Sequence, residues 1–247
     1  MTKYILFDTE TTGMQEEDRI IQVGAMVIDN KGNVEVFNEF CTTPLPIKLE
    51  AMEIHNITPD LLEGKPDFVE TTFYKQLLKL NTKDNYLIAH NMPFDLGMLE
   101  KEGFTSNIKI IDTLRCIRHL SPESPSCRLQ YLRYSLKLYQ KEQIEADKYN
   151  IVIKAHDAIG DVLVMKLLLS ELVAKVKKKY PDINPMVKLE ELTDKPICLE
   201  TFRFGKYKGR KISEVCDEDI EYINWIMDKT KLDVDMKYTL DKLMGHR

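Results

Sequence analysis

Two acidic side chains follow an apolar segment at the start of the chain. Residues 4–7 read YILF, a run typical of a buried strand, and Asp8 and Glu10 come directly after it. Because side chains two residues apart in a strand point to the same face, both carboxylates should project together. They should do so at the strand end where open α/β sheets place ligands. An acidic, solvated turn is the ordinary alternative for such a pair.

Two further acids occur where helices are predicted to begin. In AHNMPFD, residues 89–95, Asn91 is placed to cap a helix and Asp95 falls in its first turn. In HDAIGD, residues 156–161, Asp161 opens a long helix with one apolar face. An acid in a first turn also complements the helix dipole, so neither acid indicates a site by itself.

The histidine of the third segment suits proton transfer better than metal binding. His156 and Asp161 would be separated by roughly 140° around a helix of 3.6 residues per turn, so they would not share a helical face. We therefore predict that His156 lies in the loop before the helix and that Asp157 caps the helix. A histidine on a loop beside a fixed acid favours a proton acceptor, whereas an exposed loop histidine without a role is the ordinary alternative.

Taken together, the four acids predict a site for divalent cations. Carboxylates that converge at one sheet edge raise each other's pKa values unless cations compensate for the repulsion. Carboxylate oxygens suit hard cations such as Mg²⁺ or Mn²⁺. Two such ions, about 4 Å apart, would balance the four charges and hold a scissile phosphate. One would activate a water whose proton His156 accepts, and the other would stabilise the leaving 3′ oxygen.

The elements that must position these groups alternate in a way that predicts an α/β fold. We predict strands at 3–8, 20–29, 33–40, 86–90 and 108–112, and helices at 67–80, 94–103, 128–139 and about 158–179. The second and third strands are joined by the short turn Asn30-Lys31-Gly32 and should form an antiparallel hairpin. Antiparallel strands followed by βα alternation indicate a mixed sheet flanked by helices.

A separate small module is predicted at the C-terminal end. Lysines 177–179 and the segment YPDINP close the first domain, so we predict a domain over 1–179, a linker over 180–200 and a small α+β module over 201–247. The segment TFRFGKYKGRK, residues 201–211, contains five cations, three aromatic residues and no acid. Such a segment suits contacts with nucleic-acid phosphates and bases. A hairpin with solvent-facing lysines is the alternative.

Composition bounds the class of protein without naming a function. The chain has 247 residues, a formal net charge of −5 and no apolar run of the roughly 18 residues that a membrane helix needs. Five cysteines form no CxxC pair, and the N-terminal residues lack the regions of a secretory signal, so we expect a reducing, cytoplasmic location. Since the bulk charge is negative, attraction to a nucleic acid would depend on metal ions and local basic patches.

The three motifs, in this order, resemble a known family. DTETTG, HNxxFD and HxxxxD resemble the DEDDh 3′→5′ exonucleases of the ribonuclease H-like fold, over roughly residues 3–176. The resemblance implies that Asp8, Glu10, Asp95 and Asp161 hold two divalent cations, Mg²⁺ or Mn²⁺. It also implies that His156 is the general base. Residues 113–150 match no motif of that family that we identify.

The same resemblance implies contacts with the terminal nucleotide. The segment EAMEIHNIT, residues 50–58, is similar to a short family motif and makes His55 a substrate contact, with a packed helical histidine as the alternative. Met14 stands where the family keeps Leu or Met against the terminal base. Thr11, Asn91 and Phe94 are weaker assignments of the same kind.

The C-terminal module resembles that of exonuclease X-type proteins. FRFGKYKGRKISEV followed by IEYINWIM carries this resemblance, which implies DNA as the substrate and a role in DNA repair or processing. We predict backbone contacts to DNA from Lys206, Lys208, Arg210 and Lys211, and a core position for Trp225. An RNA-trimming or proofreading exonuclease is the alternative within the class, and a non-catalytic nucleic-acid-binding protein is the alternative outside it.

Overall fold

The computed structural model describes residues 2–154, 156–202 and 204–245. The chain divides into two compact units, the first ending at Thr193 and the second beginning at Asp194. The first unit contains the sheet and all four predicted acids. The second is a small helical unit.

The first unit is built on a five-stranded mixed sheet. Its strands are β1 (Lys3–Thr11), β2 (Ile20–Asp29), β3 (Val34–Phe40), β4 (Tyr86–Ala89) and β5 (Lys109–Asp112). They lie in the order β3-β2-β1-β4-β5, with β1 antiparallel to β2 and parallel to β4. The predicted mixed α/β sheet with an antiparallel β2–β3 hairpin is therefore confirmed.

Helices cover both faces of this sheet. They are α1 (Leu49–His55), α2 (Pro59–Leu62), a short 3₁₀ helix (Phe68–Glu70), α3 (Thr72–Leu80), α4 (Met92–Lys101), α5 (Thr113–Leu120), α6 (Leu129–Ser135), α7 (Tyr139–Tyr149), α8 (Ala158–Lys179) and α9 (Pro185–Asp194). The helix predicted at 67–80 is interrupted because Thr71 caps α3 with its side chain. The helix predicted at 128–139 is divided because Lys137 adopts a left-handed φ of 56°.

Alternation along β1 decides which face each side chain meets. Ile5 and Phe7 lie in a buried cluster with residues of α3 and α4, whereas Leu6 lies in the opposite cluster with residues of α8. Asp8 and Glu10 continue the register of Leu6, which is regular as far as Glu10 and shifts only after it. The two acids therefore project on the α8 side of the sheet.

A glycine allows α8 to approach the sheet closely. Gly24 of β2 pairs with Asp8, and a Cβ atom built on it would lie 2.3 Å from the carbonyl carbon of Ala158 and from the amide nitrogen of Ile159. Only a residue without a side chain fits such an approach. The first turn of α8 therefore lies directly over the strand pair that carries Asp8.

The first unit extends beyond the boundary at Lys179 that the sequence suggested. Helix α9 lies within the predicted linker 180–200, and its Leu189 and Leu192 are buried in the same cluster as α8. The Thr193 hydroxyl accepts a hydrogen bond of 2.9 Å from the backbone N–H of Asp112 at the end of β5. This segment is therefore part of the first unit up to Thr193.

The second unit is mainly helical. It contains α10 (Ile212–Glu218), α11 (Ile220–Lys229) and α12 (Val234–Met244), which enclose a core with Phe202 at its N-terminal side. Across its described residues, the predicted hairpin is reduced to one isolated bridge between Thr201 and Lys211. Arg203, within the predicted basic segment, lies outside the described residues.

The predicted core position of Trp225 is wrong. Its side chain is 55% exposed, and its ring stacks on Tyr222 at a centroid distance of 6.1 Å. The buried positions of α11 are Ile223 and Ile226. Trp225 lies between them in sequence and so falls on another face of the helix.

Replacing Gly24 should show how strongly the close approach constrains the fold. The added methyl of Gly24→Ala would collide with the backbone of α8, so we expect a loss of about 1–3 kcal/mol in the free energy of unfolding. Gly97→Ala in α4 is the matched control because its Cβ meets nothing within 4 Å. The control should be neutral or stabilising by up to about 1 kcal/mol. Equal stabilities of both variants in urea unfolding would contradict this account.

Candidate active site

Three carboxylates converge where β1 meets the first turn of α8. Oxygen atoms of Asp8, Glu10 and Asp161 all lie within 4.8 Å of one another. The strand supplies two of them and the helix the third. Gln22, which pairs with Glu10 across the strands, donates a hydrogen bond of 2.8 Å to Asp157 and so helps to hold the start of α8.

The fourth predicted acid is fixed beside this group by β1 itself. Asp95 is buried in the first turn of α4, and its Oδ1 accepts hydrogen bonds from the backbone N–H of Thr9 at 3.1 Å and from its hydroxyl at 2.7 Å. Thr9 lies between Asp8 and Glu10 and faces the opposite side of the sheet. The strand thus presents two acids to α8 and holds a third through its intervening threonine.

The four acids of the site have raised pKa values because like charges are held close together away from water. Burial, followed by repulsion from Asp161 and Asp95, raises the pKa of Glu10 to about 8. Burial also raises the pKa of Asp8 well above its usual range, and the charges of Asp95, Asp161 and Glu10 add to this effect. The pKa values of Asp95 and Asp161 are raised chiefly by burial as well. Without a counter-charge, these acids are held partly protonated near neutral pH.

This donor set fits a divalent cation. Clustered carboxylate oxygens are the ligands that hard cations prefer, and a bound cation removes the repulsion that raises these pKa values. Asp8, Glu10 and Asp161 are placed to hold such an ion, with Asp95 adjacent to them.

His156 lies on the loop that leads into α8, as predicted from its spacing to Asp161. It is exposed, adopts a left-handed φ of 55°, and is close enough for its charge to lower the pKa of Asp161. The loop is pressed against the helix, since a Cβ on Gly160 would lie 2.4 Å from the carbonyl oxygen of Lys154. Asp157 occupies the cap position but forms no side-chain cap hydrogen bond, because its carboxylate accepts from Gln22 instead.

A cavity of about 470 Å³ opens beside Glu10. Four predicted substrate contacts are among its lining residues: Thr11, Met14, His55 and Phe94. The Met14 side chain is 81% exposed, so it offers a free apolar surface at the rim. Asn91 is not among the described residues that line this cavity. It occupies the cap position of α4 with a left-handed φ of 77°.

His55 is held by hydrogen bonds on both ring nitrogens. Its Nδ1 accepts from the backbone N–H of Ile57 at 2.9 Å, so the proton must reside on Nε2, which donates to the carbonyl oxygen of Thr11 at 3.2 Å. Burial lowers the pKa of His55, which favours this neutral form. His55 therefore shapes the cavity with its ring, while both of its polar atoms already have protein partners.

Several residues that organise the site were not found by sequence reasoning. Gln130 of α6 donates a hydrogen bond to Oδ1 of Asp161, and Gln22 holds the loop before α8. Asp112 accepts from the backbone N–H groups of Asn91 and Leu114, which links the ends of β4 and β5. Of these, only Asp112 carried a local signal, as an acid directly before a helix.

The basic residues of the second unit are largely paired with acids. Lys206 contacts Asp219 at 3.0 Å, Arg210 contacts Glu218 at 2.9 Å, and Lys211 contacts Glu214 at 4.0 Å. Among the described residues, no ion pair is formed by Lys208. The four cations are exposed, as a binding role requires, but three of them have acidic neighbours.

The mixed sheet with its carboxylate cluster defines a ribonuclease H-like nuclease fold. The family described as Exonuclease matches residues 5–169, more than half of the chain, and the family described as Exodeoxyribonuclease X-like C-terminal matches residues 202–231. The chain therefore belongs to the exonuclease family. The resemblance to DEDDh exonucleases with an exonuclease X-type module is confirmed.

Curated relatives include both exonucleases and polymerase components. Exodeoxyribonuclease 10 of Escherichia coli K12 is 26% identical over 223 residues, which cover 90% of this chain and 89% of that protein. DNA polymerase III PolC-type of Bacillus cereus is 29% identical over 187 residues, and DNA polymerase III subunit epsilon of Treponema pallidum is 38% identical over 101 residues. These matches cover 73% and 40% of this chain. They span only 12% of the first polymerase protein and 45% of the second.

Solved structures share the fold at low identity. Exonuclease X in complex with 5′ overhanging duplex DNA superposes with a TM-score of 0.56 at 20% identity, covering 78% of this chain and 99% of that one. Escherichia coli exonuclease I in complex with a dA16 oligonucleotide gives 0.53 at 22% identity, covering 77% and 42%. Within the described residues, no helix is both long and apolar enough to cross a membrane.

Without divalent cations, the protein should become less stable as pH rises from about 5 to 8. The pKa of Glu10 is raised from 4.5 to about 8 on folding, and those of Asp8, Asp95 and Asp161 move in the same direction. The folded state then holds more protons than the unfolded state. The contribution of these protons to the free energy of unfolding is fully present below the pKa of the unfolded state, and it is lost as the pH rises through the pKa of the folded state. We expect a loss of at least ~1 kcal/mol, or about 2–4 °C in Tm.

The measurement is thermal unfolding of chelator-treated protein between pH 5 and 8. Glu10→Gln should make the decline shallower, whereas Glu53→Gln, a change at an exposed acid, should not. Saturating Mn²⁺ should raise the Tm and flatten the pH dependence, because it binds the folded state. A Tm that rises with pH in the metal-free wild type would contradict the assigned repulsion.

Proposed function

We propose that this protein is a metal-dependent 3′→5′ exodeoxyribonuclease that hydrolyses phosphodiester bonds from DNA 3′ ends, in DNA repair or processing. The observation that carries the proposal is the convergence of Asp8, Glu10 and Asp161, with Asp95 beside them, at the mouth of a nucleotide-sized cavity. A purely structural role would not explain why half-buried like charges are clustered here.

The proposed cofactors are two divalent cations, Mg²⁺ or Mn²⁺, held by the four acids. Four carboxylates supply enough negative charge for two such ions, and bound cations would relieve the repulsion that helps to raise the pKa values of Asp8 and Glu10. Bound cations of this kind supply an activated water and stabilise the charge that develops on the phosphate and the leaving oxygen. These acids lie on β1, α4 and α8, so the positions of the ligand oxygens are set by the fold before substrate binds.

His156 is the proposed general base. Its exposed position on the loop before α8, beside Asp161, leaves the imidazole accessible to a water at the scissile phosphate. The water oxygen forms the new bond to phosphorus, the bond from phosphorus to the 3′ oxygen breaks, and the water proton passes to the imidazole. The 3′ oxygen takes a proton from solvent, so the shortened strand keeps a 3′ hydroxyl and a nucleoside 5′-monophosphate leaves.

The cavity beside Glu10 is the proposed seat of the terminal nucleotide. The exposed Met14 and the half-buried Phe94 offer apolar surfaces for a base, and Thr11 and His55 form the part next to β1. Because both nitrogens of His55 are occupied, its role is to fix the cavity wall through the Thr11 carbonyl. Asn91 remains a weaker proposal, at the turn that delivers Asp95.

DNA is the proposed substrate because the match to Exodeoxyribonuclease 10 extends over 90% of the chain. The polymerase relatives support proofreading as the second candidate, and RNA trimming shares the same catalytic residues. Their shorter shared regions make them the less favoured candidates. A non-catalytic binding protein is disfavoured because the four acids and His156 are all retained. We also propose a cytoplasmic location, since the described cysteines form no disulfide.

The second unit is proposed to bind DNA. Exposed ion pairs such as Lys206–Asp219 contribute little to stability, so DNA phosphates can replace the acidic partners of Lys206, Arg210 and Lys211. Lys208 has no such ion pair to give up among the described residues. The exposed ring of Trp225, stacked on Tyr222, is suited to base stacking.

End-labelled substrates test the proposed reaction and its alternatives. With Mg²⁺ or Mn²⁺, the wild type should remove nucleotides from 3′-terminal DNA and should act on RNA at least tenfold more slowly, while chelator should abolish cleavage. Faster action on RNA would favour RNA trimming. No cleavage of any substrate, combined with retained binding, would favour the non-catalytic alternative.

Substitutions at the two kinds of catalytic group should have different signatures. Asp8→Asn should abolish hydrolysis, yet leave the metal-free protein as stable as the wild type or slightly more so, because one repulsive charge is removed. His156→Ala should lower kcat by about 10²–10⁴-fold with the Tm unchanged. Glu53→Gln, on the exposed face of α1, is the control for both. Wild-type cleavage by purified Asp8→Asn would overturn the metal assignment.

The single tryptophan reports on DNA binding by the second unit. Single-stranded DNA should quench Trp225 fluorescence in the wild type. Replacing Lys206, Lys208, Arg210 and Lys211 together with glutamine should weaken binding and reduce the salt slope by about 0.7 for each lost contact. The control replaces four exposed lysines of the same unit in the same way: Lys229, Lys231, Lys237 and Lys242. An unchanged salt slope would assign the basic segment a structural or partner role.

A further inference from the structure

One contact to the carboxylate cluster comes from a segment that carries no recognised motif. Gln130, in the first turn of α6, donates a hydrogen bond from Nε2 to Oδ1 of Asp161. Asp161 lies in the group of three carboxylates, and Gln130 is its neutral hydrogen-bond partner. The proposed reaction gives this amide no role in substrate binding or proton transfer.

The orientation of the Gln130 amide is dictated by an arginine. Nη1 of Arg133 donates to Oε1 of Gln130 at 3.2 Å. A guanidinium has donors only, so the amide oxygen must face Arg133 and the amide nitrogen must face Asp161. The side chain of Gln130 is thereby fixed as a donor towards the cluster.

Arg133 is in turn held in place by a buried acid of the next helix. Its Nε and Nη2 donate to the two carboxylate oxygens of Glu142, each at 2.6 Å. The side chains are 13% and 3% exposed, so this two-point ion pair is shielded from water. Leu132 and Leu138, on either side of the turn between α6 and α7, are buried in the cluster that contains α8.

From this chain of contacts we propose that Gln130, oriented by Arg133 and Glu142, is a positioning residue that sets the direction of the Asp161 carboxylate for cation binding. The inference rests on the proposed cation site. A neutral amide suits the task because it orients an oxygen without neutralising its charge, whereas a cation of the protein in direct contact would compete with the metal. Partners that orient a metal ligand typically change metal affinity by about 10–100-fold when they are removed.

Gln130→Met tests the role because it keeps the length of the side chain and removes its donor. We expect Mn²⁺ affinity, measured by titration calorimetry, to fall about 10–100-fold while the Tm of the metal-free protein is unchanged. Cleavage should require correspondingly more Mn²⁺ and should recover when the ion is saturating, with the KM for DNA unchanged. Gln143→Met on the exposed face of α7 is the matched control and should bind Mn²⁺ as the wild type does.

A double-mutant cycle separates positioning from simple packing. Arg133→Lys keeps the charge beside Glu142 but loses the two-point geometry, so it should weaken Mn²⁺ binding several-fold when Gln130 is present. It should have no further effect in the Gln130→Met background, because the orienting chain is already broken. Additive losses would mean that Arg133 acts independently of Gln130, which would overturn the proposed order.

The outcomes distinguish this inference from the proposed reaction. Mn²⁺ affinity of Gln130→Met within twofold of the wild type would overturn the positioning role, whatever happens to cleavage. A wild type that binds Mn²⁺ but cuts no nucleic acid would remove the hydrolytic function and leave the affinity comparison intact. A wild type that binds no Mn²⁺ would overturn both.

Discussion

The mutual repulsion of half-buried carboxylates at the end of β1 is the constraint around which the first unit is organised. Asp8, Glu10 and Asp161 have oxygens within 4.8 Å of one another, and burial together with this proximity raises their pKa values. A chain free to relax would separate such charges. The fold holds them together at a cost in electrostatic free energy, and a bound divalent cation would remove that cost. The same repulsion that opposes folding therefore favours cation binding.

The contacts that resist this repulsion come from every element around the site. Gly24 allows α8 to lie against β2, and Gln22 fixes the loop before that helix. Thr9 holds Asp95 with two hydrogen bonds, and Gln130 reaches Asp161 from α6. Each contact joins segments that are distant in sequence. The positioning residues of the site therefore belong to the packed body of the domain.

Sequence reasoning placed side chains correctly where local backbone geometry decides their position. It failed where the position depends on contacts with residues of another element. Strand alternation sufficed to align Asp8 and Glu10, and helical spacing sufficed to place His156 on a loop. Trp225 was misjudged because a large aromatic residue is usually buried, and its exposure depends on which face of α11 meets the core. The pairing of Lys206, Arg210 and Lys211 with acids of α10 and its C-terminal cap was equally invisible, since it depends on how that helix folds back.

The sequence by itself determined the strands and several of the helices of the first unit, because strand and helix periods are local properties of the chain. The order of its three motifs, through their resemblance to a known family, singled out the four acids as candidate ligands. Only the tertiary structure decided that Asp161 lies close to Asp8 and Glu10, that both ring nitrogens of His55 bond to the backbone, and that Gln130 donates a hydrogen bond to Asp161. The physical reason is that these contacts span long stretches of sequence. Their distances are set by the packing of α6 and α8 against the sheet, which no local pattern encodes.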